Sequence, residues 1–127
     1  MYRVYPVPPA GKLRIPRYAA LMGHEDFTVE VSRMPTEAVL TVVGEIDVFT
    51  VGRMSSAVER ILGDVPPPRI VLDLGGVTFC DSQGLGTLVA LSQKARMAQS
   101  VLVLTNVGDF LLRVLDITGL RAAVLIT

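Results

Sequence analysis

Asp81, Ser82 and Gln83 stand where an apolar run, Arg69-Ile-Val-Leu-Asp-Leu74, has passed through Gly75–Cys80 towards an amphipathic run, Thr87–Met97. That order reads strand, loop, helix, and it puts small polar residues at a helix N-terminus. The orphan N–H groups and partial positive charge there favour an anion or an oxygen lone pair. Two roles suit a serine in this place. It caps the helix, worth ~0.5–2 kcal/mol over alanine, or it carries a phosphate. Nucleophilic catalysis by Ser82 or Cys80 would need a base oriented by a third group. The single histidine, His24, lies far upstream, and Asp73 and Asp81 are poor bases at an ordinary carboxylate pKa. No enzyme is expected. Cys80 reads as a small packed residue, or as a redox-sensitive thiol if the helix N-terminus lowers its pKa. No lysine completes a phosphate-binding loop, and Gly84-x-Gly86 lacks the third glycine of a dinucleotide fingerprint. One cysteine and one histidine argue against a zinc site, so neither metal nor cofactor is expected.

A second polar cluster is Gly44-Glu45-Ile46-Asp47, read as a strand-to-helix turn whose carboxylates suit the positive helix end. In a parallel α/β sheet this loop and the Phe79–Gly84 loop both fall at the carboxyl ends of their strands, the edge where such sheets place ligands and partners. Two acidic loops on one rim suggest a docking surface more than a pocket.

The elements that must position these residues follow from periodicity. Phe27–Arg33 alternates as a half-buried strand, Met34–Glu37 turns, and Ala38–Val43 is a second strand, forming an antiparallel hairpin. Val48, Val51, Met54, Val58, Ile61 and Leu62 mark one helix face that Gly63 ends. Pro66-Pro-Pro68 leads stiffly into strand Arg69–Leu74, whose composition suggests burial on both faces. A helix Gly84–Met97, a strand Ser100–Leu104, a helix Asp109–Asp116 closed at Gly119, and a strand Ala122–Ile126 complete the chain. The expected fold is α/β, a single domain with a mixed sheet in the order β-β-α-β-α-β-α-β.

Composition bounds the rest. The 127 residues suit one domain, half of them are hydrophobic and 19% are charged, which is globular. Mean hydropathy is +0.51, yet no apolar run approaches the ~20 residues that cross a bilayer, and no signal peptide is evident. The cytoplasm is the expected compartment. Residues 1–25 form a proline-rich basic leader, expected to be disordered or to precede a true start at Met22, and 26–127 form the domain. The first 20 residues hold Arg3, Lys12, Arg14 and Arg17 with no acid, so the remainder carries eight basic against twelve acidic residues. A mildly acidic domain lacks the clustered cations that nucleic acid requires.

Gly44-Glu-Ile-Asp47, then Ile70 to Gly86 with Phe79-Cys-Asp-Ser-Gln-Gly-Leu85, then Val114-Leu-Asp-Ile-Thr-Gly-Leu120 resemble, in order and spacing, the STAS domain of bacterial anti-sigma factor antagonists. The resemblance covers about residues 27–127 and implies a single STAS-like domain that acts as a switch. Such an antagonist binds an anti-sigma factor, often a serine kinase of the GHKL type, and so frees a sigma factor. The kinase phosphorylates the serine after the aspartate, here Ser82, and the complex dissociates; a PP2C-type phosphatase reverses the mark. By the same likeness Gly44, Glu45, Ile46, Asp47, Asp81, Gln83, Gly84 and Leu85 would form the partner surface. Phosphate is expected to act by charge and bulk with little change of fold. The family usually has Ser or Thr where this chain has Gln83. Relatives commonly continue into a further helix after the last strand; without it part of one sheet face would be open, and the chain is expected to be a monomer or a weak homodimer. The alternatives are a non-switching STAS module, as in a stressosome-like scaffold or beside a membrane transporter, and a small nucleotide- or lipid-binding α/β protein.

Overall fold

The computed structural model describes residues 2–5, 26–63 and 65–127. Six strands form one sheet in chain order: β1 (Tyr2–Tyr5), β2 (Thr28–Arg33), β3 (Glu37–Ile46), β4 (Arg69–Cys80), β5 (Val101–Thr105) and β6 (Leu125–Ile126). Helices α1 (Val51–Gly63), α2 (Ser82–Met97) and α3 (Asp109–Thr118) follow β3, β4 and β5. A short 3-10 turn, Leu120–Ala123, leads into β6. The β1–β2 and β2–β3 pairs are antiparallel, and every later pair is parallel. From β2 onward the order of strands and helices is the expected one, with β1 added at the edge.

This order has a consequence for layering. Three successive right-handed crossovers that each step one strand in the same direction bring every crossover helix to the same face. Leu40, Leu72 and Leu104, in register across β3, β4 and β5, accordingly join Met54, Ile61, Leu88 and Leu91 in one core. Burying each such side chain contributes ~1.5–3 kcal/mol. The two-sided burial expected for β4 holds in part. Val71 and its cross-strand neighbour Val103 are 8% and 3% exposed, yet stand outside that core cluster, on the other face by strand alternation.

The helices begin and end for local reasons. On α1 the buried face is Val51, Met54, Ala57, Val58 and Ile61, a 3.6-residue stripe. The C-cap of α3 is Gly119 in the left-handed region, as its position after Thr118 suggests.

Four boundaries differ from the sequence reading. Gly44-Glu-Ile46 is the end of β3 and not a turn, and Gly75–Cys80 is the second half of β4 and not a loop. The two extensions hold each other: Gly44 pairs with Val77, Glu45 with Phe79 and Ile46 with Cys80, with register shifts between Thr41 and Val43 and between Gly44 and Glu45. Those bulges hide the alternation that would have marked a strand. Val48 is not on the α1 face; it is exposed in the turn before it. Most of the expected last strand is the 3-10 turn, leaving two residues in β6. The leader expected to be disordered lies, apart from Tyr2–Tyr5, outside the described residues, as does His24; those four residues pair with Val29–Ser32.

Candidate functional site

The paired ends of β3 and β4 place the two polar clusters side by side. The Asp81 N–H donates to the carbonyl of Ile46 at 3.1 Å, so the Ser82 helix starts from the strand that carries Glu45. Asp81 is the N-cap of α2: its backbone is extended and its Oδ1 accepts from the Gly84 N–H at 2.9 Å. Ser82 is therefore the first helical residue and not the cap. It is exposed, and among the described residues its hydroxyl has no hydrogen-bond partner. Gln83 beside it is also exposed.

Gly84 is buried where α2 comes closest to the strand ends. A Cβ there would lie 2.7 Å from Cys80 Sγ and 2.8 Å from Ile46 Cγ2, closer than such contacts allow. Glycine is thus needed to seat the helix against β3 and β4. Gly44 has φ +112, with a Cβ position 3.1 Å from the Phe27 Cα. It is the residue at which β3 bends over the start of β2.

Asp47 is buried and holds the turn into α1. Its Oδ1 accepts from the N–H groups of Phe49 at 2.9 Å and Thr50 at 3.2 Å. The Thr50 hydroxyl accepts from the Asp47 N–H at 3.0 Å and donates to the Glu45 carbonyl at 2.6 Å. Asp47 is thereby a turn and helix-start residue. Of the partner-surface residues expected from the sequence, Ile46, Asp47, Gly84 and Leu85 are buried and shape the rim, whereas Gln83 is exposed and Gly44, Glu45 and Asp81 are half-buried.

Cys80 is the small packed residue of the two readings. Burial, and secondarily the Asp81 carboxylate, push its thiol up to about 12, opposite to the lowering that a helix N-terminus suggested. A thiol raised in this way is protonated at neutral pH. Among the described residues no group of three His, Cys, Asp or Glu side chains is placed to hold a metal ion.

The sequence reading missed the apolar part of the rim. Val48, Phe49, Phe79 and Phe110 are 56%, 47%, 45% and 63% exposed at or after the carboxyl ends of β3, β4 and β5, the edge of the sheet that also carries Ser82. Phe79 and Phe110 border a cleft of about 60 Å³ floored by Leu74, Val77 and Leu111. Ligand pockets run to ~300–1,000 Å³. Their sequence signal is weak: Val48 and Phe49 sit just before the α1 stripe, and Phe110 precedes the buried Leu111.

The paired strand ends, the helix cap Asp81 and the exposed Ser82 after it lie at one edge of the sheet, and the family follows from comparison with known proteins. The STAS domain model matches residues 28–126. This chain belongs to the STAS domain family. It is 34% identical over 97 residues to the anti-sigma-B factor antagonist of Listeria monocytogenes, covering 75% of this chain and 83% of that one. With the anti-sigma-F factor antagonist RsfB of Mycobacterium tuberculosis it shares 38% identity over 77 residues, 61% of each chain. The crystal structure of an anti-sigma factor antagonist from Mycobacterium paratuberculosis superposes with a TM-score of 0.69 at 29% identity, covering 80% of this chain and 85% of that one. The fold is the STAS fold, and transcription regulation is the context in which its relatives are named.

Proposed function

We propose that this STAS chain is a cytoplasmic anti-sigma factor antagonist, which docks an anti-sigma factor on the rim around Ser82 and is released when Ser82 is phosphorylated. The observation that carries the switch is the division of labour at the start of α2. Asp81 does the capping, which leaves the Ser82 hydroxyl exposed and unengaged. The relatives named as antagonists support the docking role. The kinase in this reading is the anti-sigma factor itself, of the GHKL type, and a PP2C-type phosphatase restores the free hydroxyl.

Phosphate on Ser82 would bring a charge of about −1.5 to −2 and three acceptor oxygens to a helix N-terminus. The helix end tolerates that charge. The interface does not, because a hydrated dianion occupies a surface that must dehydrate to dock. Release then needs no refolding. No helix among the described residues is long and apolar enough to cross a membrane.

The test is phosphopeptide mass spectrometry after incubation with ATP and lysate of the source organism, with Ser82→Ala alongside. Phosphate on Ser82 that is absent from the variant supports the switch. An unmodified Ser82 refutes it and leaves a constitutive interaction module. Amide chemical-shift changes spreading through the sheet on phosphorylation would refute release without refolding.

A further inference from the structure

We propose that the cleft between Phe79 and Phe110 receives one aliphatic or aromatic side chain of the anti-sigma factor, flanked on that protein by arginine or lysine; this rests on the docking role proposed above. The shape argument comes first. Phe79, at the end of β4, and Phe110, in the first turn of α3, both line the cleft. At about 60 Å³ the cleft takes the end of a side chain and not a nucleotide or an acyl chain. Large apolar side chains half in water beside a pre-formed apolar floor have the character of an interface centre, where a few residues carry most of the affinity.

Charge selects the surroundings of that side chain. The rim segments 44–50, 79–86 and 105–111 hold Glu45, Asp81 and Asp109 at least partly exposed and no lysine, arginine or histidine; Asp47 is buried in its turn, and Arg53 and Arg113 stand further along α1 and α3. Asp109 begins α3 next to Phe110, and Asp81 lies two residues from Phe79. A partner bringing carboxylates would meet like charge on both sides of the cleft, whereas cations complement it and speed encounter. Phosphorylation makes this rim more negative still. Release from a cationic partner is then driven by the bulk and hydration of a phosphate on the same rim, and not by repulsion.

The experiment uses the full chain and the purified anti-sigma factor of the source organism that retains it, with dissociation constants from calorimetry and association rates from stopped flow. Phe79→Ser and Phe110→Ser are each expected to weaken binding by at least about tenfold. Val65→Ser, an exposed apolar residue before the opposite end of β4, should leave it unchanged. The wild-type association rate should fall as sodium chloride is raised. Unaltered urea midpoints in the two variants exclude misfolding as the cause. Tight binding by both phenylalanine variants overturns the cleft assignment and leaves the docking role standing. An association rate that rises with salt overturns the cationic partner. Absence of any wild-type complex removes the docking role and this inference with it. A wild-type dimer that Phe110→Ser converts to monomer in sedimentation equilibrium assigns the cleft to a second copy, and also overturns the proposal.

Discussion

Gly84→Ala tests whether the rim is held as tightly as its geometry implies. The new methyl group would meet Cys80 Sγ at 2.7 Å and Ile46 Cγ2 at 2.8 Å, with the Ile46 carbonyl behind them at 3.4 Å. Neither neighbour is the free end of a long side chain, and both are buried. Overpacking of this kind costs about 1–3 kcal/mol. Alanine returns about 0.5–1 kcal/mol over glycine within a helix. The net expectation is a loss of up to about 2.5 kcal/mol, centred slightly above 1. With a urea dependence of ~2 kcal/mol/M, that central value lowers the unfolding midpoint by roughly 0.6 M. The decisive measurement is the double-mutant cycle with Cys80→Ala, which removes the sulfur that the methyl group would strike. In that background Gly84→Ala should be milder by at least about 0.5 kcal/mol. A Gly84→Ala chain as stable as wild type, with no coupling to Cys80→Ala, would refute the close seating of α2 against β3 and β4.

Three further outcomes are expected. Asp81→Ala should cost about 1 kcal/mol by removing the acceptor for the Gly84 N–H, while Asp81→Asn, which keeps an acceptor oxygen, should cost less in the same urea titration. The Cys80 thiol has a folded pKa raised to about 12 from 9.0, so the unfolded chain loses its proton first as pH rises. Its contribution is present below pH 9 and is lost as pH climbs through 9 towards 12; Cys80→Ala should flatten that alkaline limb, and native Cys80 should resist alkylation at pH 8. For release, Ser82→Gln, bulky but neutral, should weaken anti-sigma factor binding in part. Raised salt should not restore binding to the phosphorylated chain; full restoration would mean that charge repulsion dominates.

Much of the fold could be read in the sequence because apolar periodicity was clean where strands and helices pack on one core. The hairpin, the α1 stripe and the glycine stop of α3 are of this kind. The misreadings fall where the pattern is broken for a structural reason. Gly44 at φ +112 and the two register shifts between β3 and β4 interrupt alternation, so the strand ends that present the rim read as loops. The acidic and serine residues of the rim could be read from residue type. Its buried members could not, because Asp47 looks like a surface carboxylate until the Phe49 and Thr50 N–H groups are seen to enclose it. The apolar members were passed over for another reason: residue type put Phe79 in a rim loop and Phe110 in a helix, and only where β4 ends and α3 begins shows that both side chains are exposed.

The topology explains why a rim of this kind suits a switch better than a ligand pocket. Open α/β sheets bind small molecules in the crevice formed where successive crossovers leave in opposite directions. Here β3, β4, β5 and β6 are laid down in one direction, with their helices on one face. The loops at the strand ends therefore do not part around a crevice, and the cleft that Phe79 and Phe110 line at this edge measures about 60 Å³. A flat edge has little to hold a nucleotide, but it is sensitive to any one group that stands out from it. Ser82 is such a group: exposed, at the first turn of a helix whose cap is already filled, with apolar and acidic residues around it. In the proposed switch, one phosphate there would change the height, hydration and charge of the edge and leave the core beneath, which includes Leu40 and Leu104, in place. Urea midpoints of the phosphorylated and free chains should accordingly agree to within about 0.5 kcal/mol of stability. A larger loss would mean that the phosphate acts on the fold and not on the surface.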